Sequence, residues 1–352
     1  MRYLPTSRLT PGMALGQDIY DGAGRLLLGR HILLTEEQIS NLEFLGFPGA
    51  YVDDEFSRGI EIQQIVSPEV RRQALKIVYD LFHMDMRKQE PSEAELKLRK
   101  TVESVVDDVI CNGDIMCNIM DIKSYDDYIY YHSIHVGILS VVVGARLGLS
   151  HDKLCQLAAA ALLHDIGKRF IDHDIVRGGK AHRSEKEQEV YRSHPKIGAE
   201  YLRETCRFPA DVYEGIMEHH ECYNGEGYPL GKKGGEIHLF ARIIRIADCY
   251  DAKVSAFPAQ KSLSPSEALE YVMALGDRWF DPDIVAVFAR KVAAYPIGCE
   301  VELSNGQHAV VARNFENFPL RPLVRVVETG EMLNMRDDEK ARAVTVGRLI
   351  VR

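Results

Sequence analysis

The chain has 352 residues, of which 46% are hydrophobic and 27% charged, with a net charge of −9. That length exceeds one ordinary domain and predicts two or three, and the composition is that of a folded globular protein. The acidic balance excludes a general nucleic-acid binder, which needs a basic face for phosphates, but leaves room for a pocket that takes a small nucleotide.

The amino terminus has no apolar core of signal-peptide length, and no apolar run approaches the roughly 18 residues that span a bilayer, so a soluble, cytoplasmic protein is expected. Seven cysteines, among them Cys111, Cys117 and Cys249, form no Cys-x-x-Cys pair, as expected of thiols in a reducing compartment. Residues 1–66 read as a small accessory α+β unit, with turn signals at Pro11-Gly12 and Asp21-Gly22, a strand at 25–28, a helix from Thr35 and a strand at 50–52. Ser67-Pro68-Glu69 is a helix start, with serine as the cap and proline at the first helical position. From 67 to 293 helical periodicity dominates. Helices are predicted near 92–112, 126–147, 150–166, 184–192, 195–206, 209–220, 236–256, 264–276 and 282–293. Residues 294–352 read as a β appendage, with strands at 299–303, 309–312 and 323–327 and a hairpin signal at Asn305-Gly306. The fold class is therefore mainly α, with a small unit at each end.

His-Asp occurs three times, so the dipeptide alone carries no signal. His151-Asp152 opens a helix, where exposed polar residues are ordinary, and His173-Asp174 lies in a loop-like stretch. Only His164-Asp165 sits between an apolar run and a glycine, where buried polar groups need strong partners. His132 and His135 share one side of a helix. His194-Pro195 starts another helix, His219-His220 ends a third, and Asp248 interrupts an apolar stretch. Imidazoles mixed with carboxylates suit Fe, Mn or Zn, and two such ions give a shared hydroxide for attack at phosphorus. Lys168, one turn beyond Asp165, adds a cation for phosphate oxygens. The segment 224–229, with two glycines and a proline, makes a tight loop just after the double histidine.

Taken in order, these motifs resemble the HD-GYP family of metal-dependent cyclic dinucleotide phosphodiesterases, a branch of the HD phosphohydrolases. The resemblance covers roughly 125–292. It rests on Tyr130-Tyr131-His132-Ser133, His164-Asp165-Ile166-Gly167-Lys168, His194-Pro195-Lys196-Ile197-Gly198, His219-His220-Glu221, Gly225-Glu226-Gly227-Tyr228-Pro229, the run from Ile246 to Ala252, and Phe280-Asp281-Pro282. It implies that His132, His164, Asp165 and Asp248 hold one metal and that His194, His219 and His220 hold the second, with Asp165 bridging. Lys168 is implied to contact the scissile phosphate, and Gly227, Tyr228 and Asp251 to contact substrate. His135 falls outside the pattern and is read as neighbouring structure.

Two positions depart from the family. Some members have a glutamate one turn before the first histidine and bind a third metal; Tyr128 stands there, so two ions, Fe or Mn, are expected. Members commonly carry a threonine-serine and an Arg-Pro-Tyr-Arg-like run after Asp251, where this chain reads Lys253 to Gln260. Losing guanidinium groups from a phosphate site removes bonds worth roughly 1.5–3 kcal/mol each, and Lys253 or Lys261 replaces them only as point charges. The resemblance implies hydrolysis of a cyclic dinucleotide, cyclic di-GMP first, by a metal-bridging hydroxide. The alternatives are a weakly active metal-containing sensor or scaffold, or an HD phosphohydrolase acting on another nucleotide. The terminal units are candidates for homodimer or signalling-protein contacts.

Overall fold

In the computed structural model the described residues are 1–84, 91–118, 127–178, 182–255 and 262–350. At the N-terminus β1 (Arg2–Pro5) and β2 (Ala14–Leu15) pair antiparallel with the two edges of β5 (Gly49–Asp53), while β3 (Ile19–Tyr20) and β4 (Leu26–Leu28) form a hairpin. Helix α1 (Glu36–Phe44) starts at a capping box: the Thr35 side chain accepts from Gln38 N, and the Gln38 side chain accepts from Thr35 N. Leu4, Leu15, Leu42, Phe47 and Val52 close a small core of their own.

The helical region comprises α2 (Pro68–His83), α3 (Pro91–Cys111), α4 (Tyr128–Arg146), α5 (His151–Leu163), α6 (His173–Arg177), α7 (Glu185–Arg192), α8 (His194–Thr205), α9 (Ala210–Glu218), α10 (Leu239–Val254), α11 (Pro265–Ala274) and α12 (Pro282–Lys291). Three expectations need correction. Ser67 makes no cap bond to α2; its N and Oγ both donate to Asp108 Oδ2 on α3, at 2.9 and 2.8 Å. The helix expected over 150–166 ends at Leu163, and a 3-10 turn follows at Ile166–Phe170. Residues 173–177, read as loop, form the short helix α6, with the Asp172 side chain accepting from Asp174 N.

Helix α4 lies at the centre, packed against α5, α10 and α2. Its 132–144 segment is buried on every side, which is why it reads as apolar all round, not amphipathic. At 19 residues, with an 18-residue window of mean hydropathy 1.3, it is long and apolar enough to cross a membrane, which corrects the expectation that no apolar run approaches that length. Yet 72% of that window is buried inside the protein.

Five antiparallel strands complete the chain: β6 (Glu300–Leu303), β7 (His308–Arg313), β8 (Leu323–Val326), β9 (Met332–Asn334) and β10 (Val346–Leu349), in the order β10-β6-β7-β8-β9. The β6–β7 hairpin turns at Asn305-Gly306, with Gly306 at φ +83°. Tyr3 and Tyr51 from the first unit and Val301, Leu303 and Val311 from the last join the helical core. All three parts therefore share one apolar interior.

Candidate metal centre

The end of α5 delivers His164 and Asp165 into the interior, where both are almost fully buried. Gly167 explains the tightness of the following turn: a Cβ there would lie 2.0 Å from the His194 carbonyl oxygen. Only glycine lets this turn press against the start of α8. That approach sets His194 Nε2 3.2 Å from Asp165 Oδ1. Helix α4 supplies His132, α10 supplies Asp248, and the end of α9 supplies His219 and His220. The ligand-capable atoms of Asp165, His194, His219 and His220 lie within 4.8 Å of one another, as do those of His132, His164 and Asp165. Asp165 belongs to both groups. Asp248 lies between them, its Oδ1 3.1 Å from His132 Nε2 and 4.0 Å from His164 Nε2, its Oδ2 3.8 Å from His220 Nδ1.

Proton bookkeeping tests whether these residues fit a cation. The Nδ1 of His164, His194 and His219 each lies 2.6–2.7 Å from the carbonyl three residues earlier, on Ala161, Tyr191 and Ile216. A carbonyl can only accept, so each Nδ1 carries a proton, and a ring in its neutral form leaves Nε2 bare. His194 Nε2 and His219 Nε2 then face each other at 3.3 Å with no proton to share. His164 Nε2, Asp165 Oδ1 and His220 Nε2 are buried without a hydrogen-bond donor. Converging buried lone pairs are costly unless a cation lies among them. The donor set fits divalent metal, and the carbonyl contacts are the kind that orient metal-bound histidines.

The electrostatics agree. Burial holds the pKa values of His219 and His220 well below the ordinary imidazole value and lowers that of His164, keeping these rings neutral. Burial alone would raise the Asp165 pKa, but the Lys168 ammonium beside it holds it well below the carboxylate range. Burial would lower the His132 pKa; hydrogen bonds to Asp248 and Asp251 outweigh it and raise the value to about 9.

The substrate-side residues divide. Lys168 Nζ is 2.5 Å from Asp165 Oδ2 and lies over the Tyr191 ring. Tyr228 stacks on His220, with ring centroids 4.7 Å apart and planes inclined by 24°. Gly227 serves the loop: a Cβ would meet the Cys222 nitrogen at 2.2 Å, so its backbone lies hard against 221–222. Asp251 corrects the sequence reading. It is fully buried, with Oδ2 2.7 Å from His132 Nδ1 and Oδ1 2.8 Å from His135 Nδ1, so it faces two histidines and not a substrate. His135 is thereby tied to the cluster through Asp251.

Sequence reasoning missed Arg245, which lies three residues before Asp248 and reaches its Oδ2 at 3.7 Å and His220 Nδ1 at 3.5 Å. The i, i+3 spacing was the available signal. It also missed Tyr191, whose ring takes Lys168 on one contact and Arg183, 3.6 Å from its centroid, on another. The Tyr128 ring stacks on His132, with centroids 5.2 Å apart and planes inclined by 13°. His151 pairs with exposed Asp107 at 3.0 Å, and His173 and Asp174 are exposed, so neither pair joins the cluster. Lys253 lies over the Tyr271 ring. Residues 179–181 and 256–261, the latter including Lys261, fall outside the described residues.

Residues 118–284 match the family model described as an HD domain. The chain is 32% identical over 226 residues to a cyclic di-GMP phosphodiesterase of Pseudomonas aeruginosa, a match covering 64% of this chain and 54% of that protein. It is 39% identical over 151 residues to a cyclic di-GMP phosphodiesterase response regulator of Xanthomonas campestris pv. campestris, covering 42% and 39%. The chain thus spans about half the length, or less, of these curated relatives. A solved structure of an HDG"Y"P protein from Bdellovibrio bacteriovorus shares the fold, with a TM-score of 0.51 at 17% identity, over 82% of this chain and 97% of that one. Over residues 118–284 the chain is thus similar to the HD domain family, and its fold is that of the Bdellovibrio protein.

Proposed function

We propose that this chain is a metal-dependent phosphodiesterase that hydrolyses a cyclic dinucleotide, cyclic di-GMP first. The observation that carries the reading is the sharing of Asp165 between two groups of bare, buried lone pairs. The names of the curated relatives supply the substrate class.

His132, His164, Asp165 and Asp248 would hold one ion and His194, His219 and His220 the other, with Asp165 bridging. Imidazole with carboxylate suits Fe or Mn, and two ions suit a site in which the Tyr128 ring, not a carboxylate, lies against His132. When bound, such a pair supplies Lewis acidity and an activated water for in-line attack at phosphorus. Lys168 puts an ammonium beside Asp165, where it meets charge building on phosphoryl oxygens. Arg245 adds a second fixed cation beside Asp248 and His220. Tyr228 presents an aromatic face next to His220 for a nucleobase, and Arg192 lies over that ring, 5.4 Å from its centroid. Lys168 and Arg245 offer positive charge in place of the guanidinium run that the 253–260 segment lacks.

Protein loaded anaerobically with Fe or Mn and incubated with cyclic di-GMP, products resolved by chromatography, tests this. The expected result is a linear dinucleotide or mononucleotide, lost in His164→Ala together with metal and retained in His151→Ala. Full metal occupancy with substrate binding but no hydrolysis would favour the sensor reading instead.

A further inference from the structure

A cavity of about 510 Å³ lies where the N-terminal unit meets α2 and α4. None of the metal-ligand candidates lines it. Among the described residues its walls carry Arg30, Arg71 and Arg72 against one carboxylate, Asp18. Asp18 is already engaged: its Oδ1 accepts from Arg30 N at 2.6 Å and its Oδ2 from the Tyr20 hydroxyl at 3.0 Å. Arg72 takes Glu69 as its partner.

Arg71 is the group left over. Its Nε is buried without a hydrogen-bond partner, and the ionisable groups acting on it are Cys117, Tyr131 and Tyr51, none of them a carboxylate. Burial accordingly pulls its pKa down. A half-buried guanidinium that lines a cavity with no carboxylate partner among the described residues is a ready seat for an anion. The buried Gln64 Oε1 in the same wall also lacks a donor. Ile19, Ile62, Leu75 and the rings of Tyr20 and Tyr131 give the lining an apolar and aromatic part, beside the polar Gln17, Ser67, Asn118 and His135. The volume is that of a typical small-molecule site.

We propose that this cavity binds a small organic phosphate, its phosphate against Arg71 and its organic body along the apolar wall, donating a hydrogen bond to Gln64 Oε1. Phosphate is favoured because forked guanidinium donors match its oxygens in pairs.

Calorimetric titration of the full chain with adenosine 5′-monophosphate and, separately, with inorganic phosphate tests the assignment. The nucleotide is expected to bind more tightly than inorganic phosphate. Arg71→Met should weaken it by about tenfold or more. The same change should leave the Tm of the ligand-free protein unchanged or raised, since it removes a half-buried cation that has no carboxylate partner among the described residues; a merely structural arginine would lower it. Arg30→Met, which removes another cation from the lining, provides a second affinity test if Arg71→Met does not fold. His220→Ala should bind the nucleotide as wild type does. The proposal is overturned if millimolar nucleotide does not bind, if both arginine variants bind it unchanged, or if inorganic phosphate binds equally well. Loss of binding in His220→Ala with retention in Arg71→Met would move the ligand to the metal cluster and overturn it too.

Discussion

At His132 two carboxylates address one imidazole: Asp248 on Nε2 and Asp251 on Nδ1. Asp251 also holds His135, and Ser255 Oγ donates to it at 3.3 Å, so the carboxylate that orients His132 is itself fixed from behind. Replacing Asp251 by Asn is therefore expected to weaken metal binding by about 10–100-fold, measured by chelator competition. Unchanged affinity would leave Asp251 with a packing role only. The proton on His132 gives a second expectation. In the metal-free protein its pKa is raised from 6.5 to about 9, by hydrogen bonds that outweigh burial. Protons and metal compete for Nε2, so apparent metal affinity should climb as pH rises from about 6.5 to about 9 and level off above. In His132→Gln that climb should shrink. A wild-type affinity independent of pH across this window would contradict the assignment.

At the scale of elements, the site depends on one close approach, that of the Ile166–Phe170 turn to the start of α8. Gly167→Ala would drive a Cβ into the His194 carbonyl, separating His194 from Asp165. A loss of about 1–3 kcal/mol in stability is expected, with lower metal content, by thermal denaturation and elemental analysis. Gly235→Ala, with open space around it, should change neither. This element was half legible in the sequence. The apolar run before His164 and the glycine after Asp165 marked a buried helix end, because buried polar groups need partners. Asp251 was misread because its partner His132 lies 119 positions away and nothing local records the pairing. Ser67 was misread for the same reason, since Asp108 on α3 takes the hydroxyl that local rules assign to a cap.

Across the whole molecule, the terminal units are fastened to the helices and to each other. Arg2 of β1 reaches Asp54 at 2.7 Å and Glu300 of β6 at 3.2 Å, and Glu300 also meets Arg8 at 3.1 Å and His308 at 3.2 Å. Glu300 is buried, so Glu300→Ala strips a desolvated cation of one partner and should cost about 3 kcal/mol, read from denaturant unfolding. Composition and turn signals mark both units as separate textures, but the shared core that joins Tyr51, Val301 and α4 is long-range packing that no local pattern encodes. The cavity lined by Arg71 belongs to that same long-range level. What the helices were legible for is the cluster itself, in which residues from five segments converge on Asp165. Metal content per chain in wild type and Asp165→Ala, by elemental analysis after Fe or Mn loading, tests this convergence most directly. Two ions per wild-type chain are expected, and loss of both when the shared carboxylate is removed; a variant that keeps its full complement of metal would contradict a site centred on Asp165.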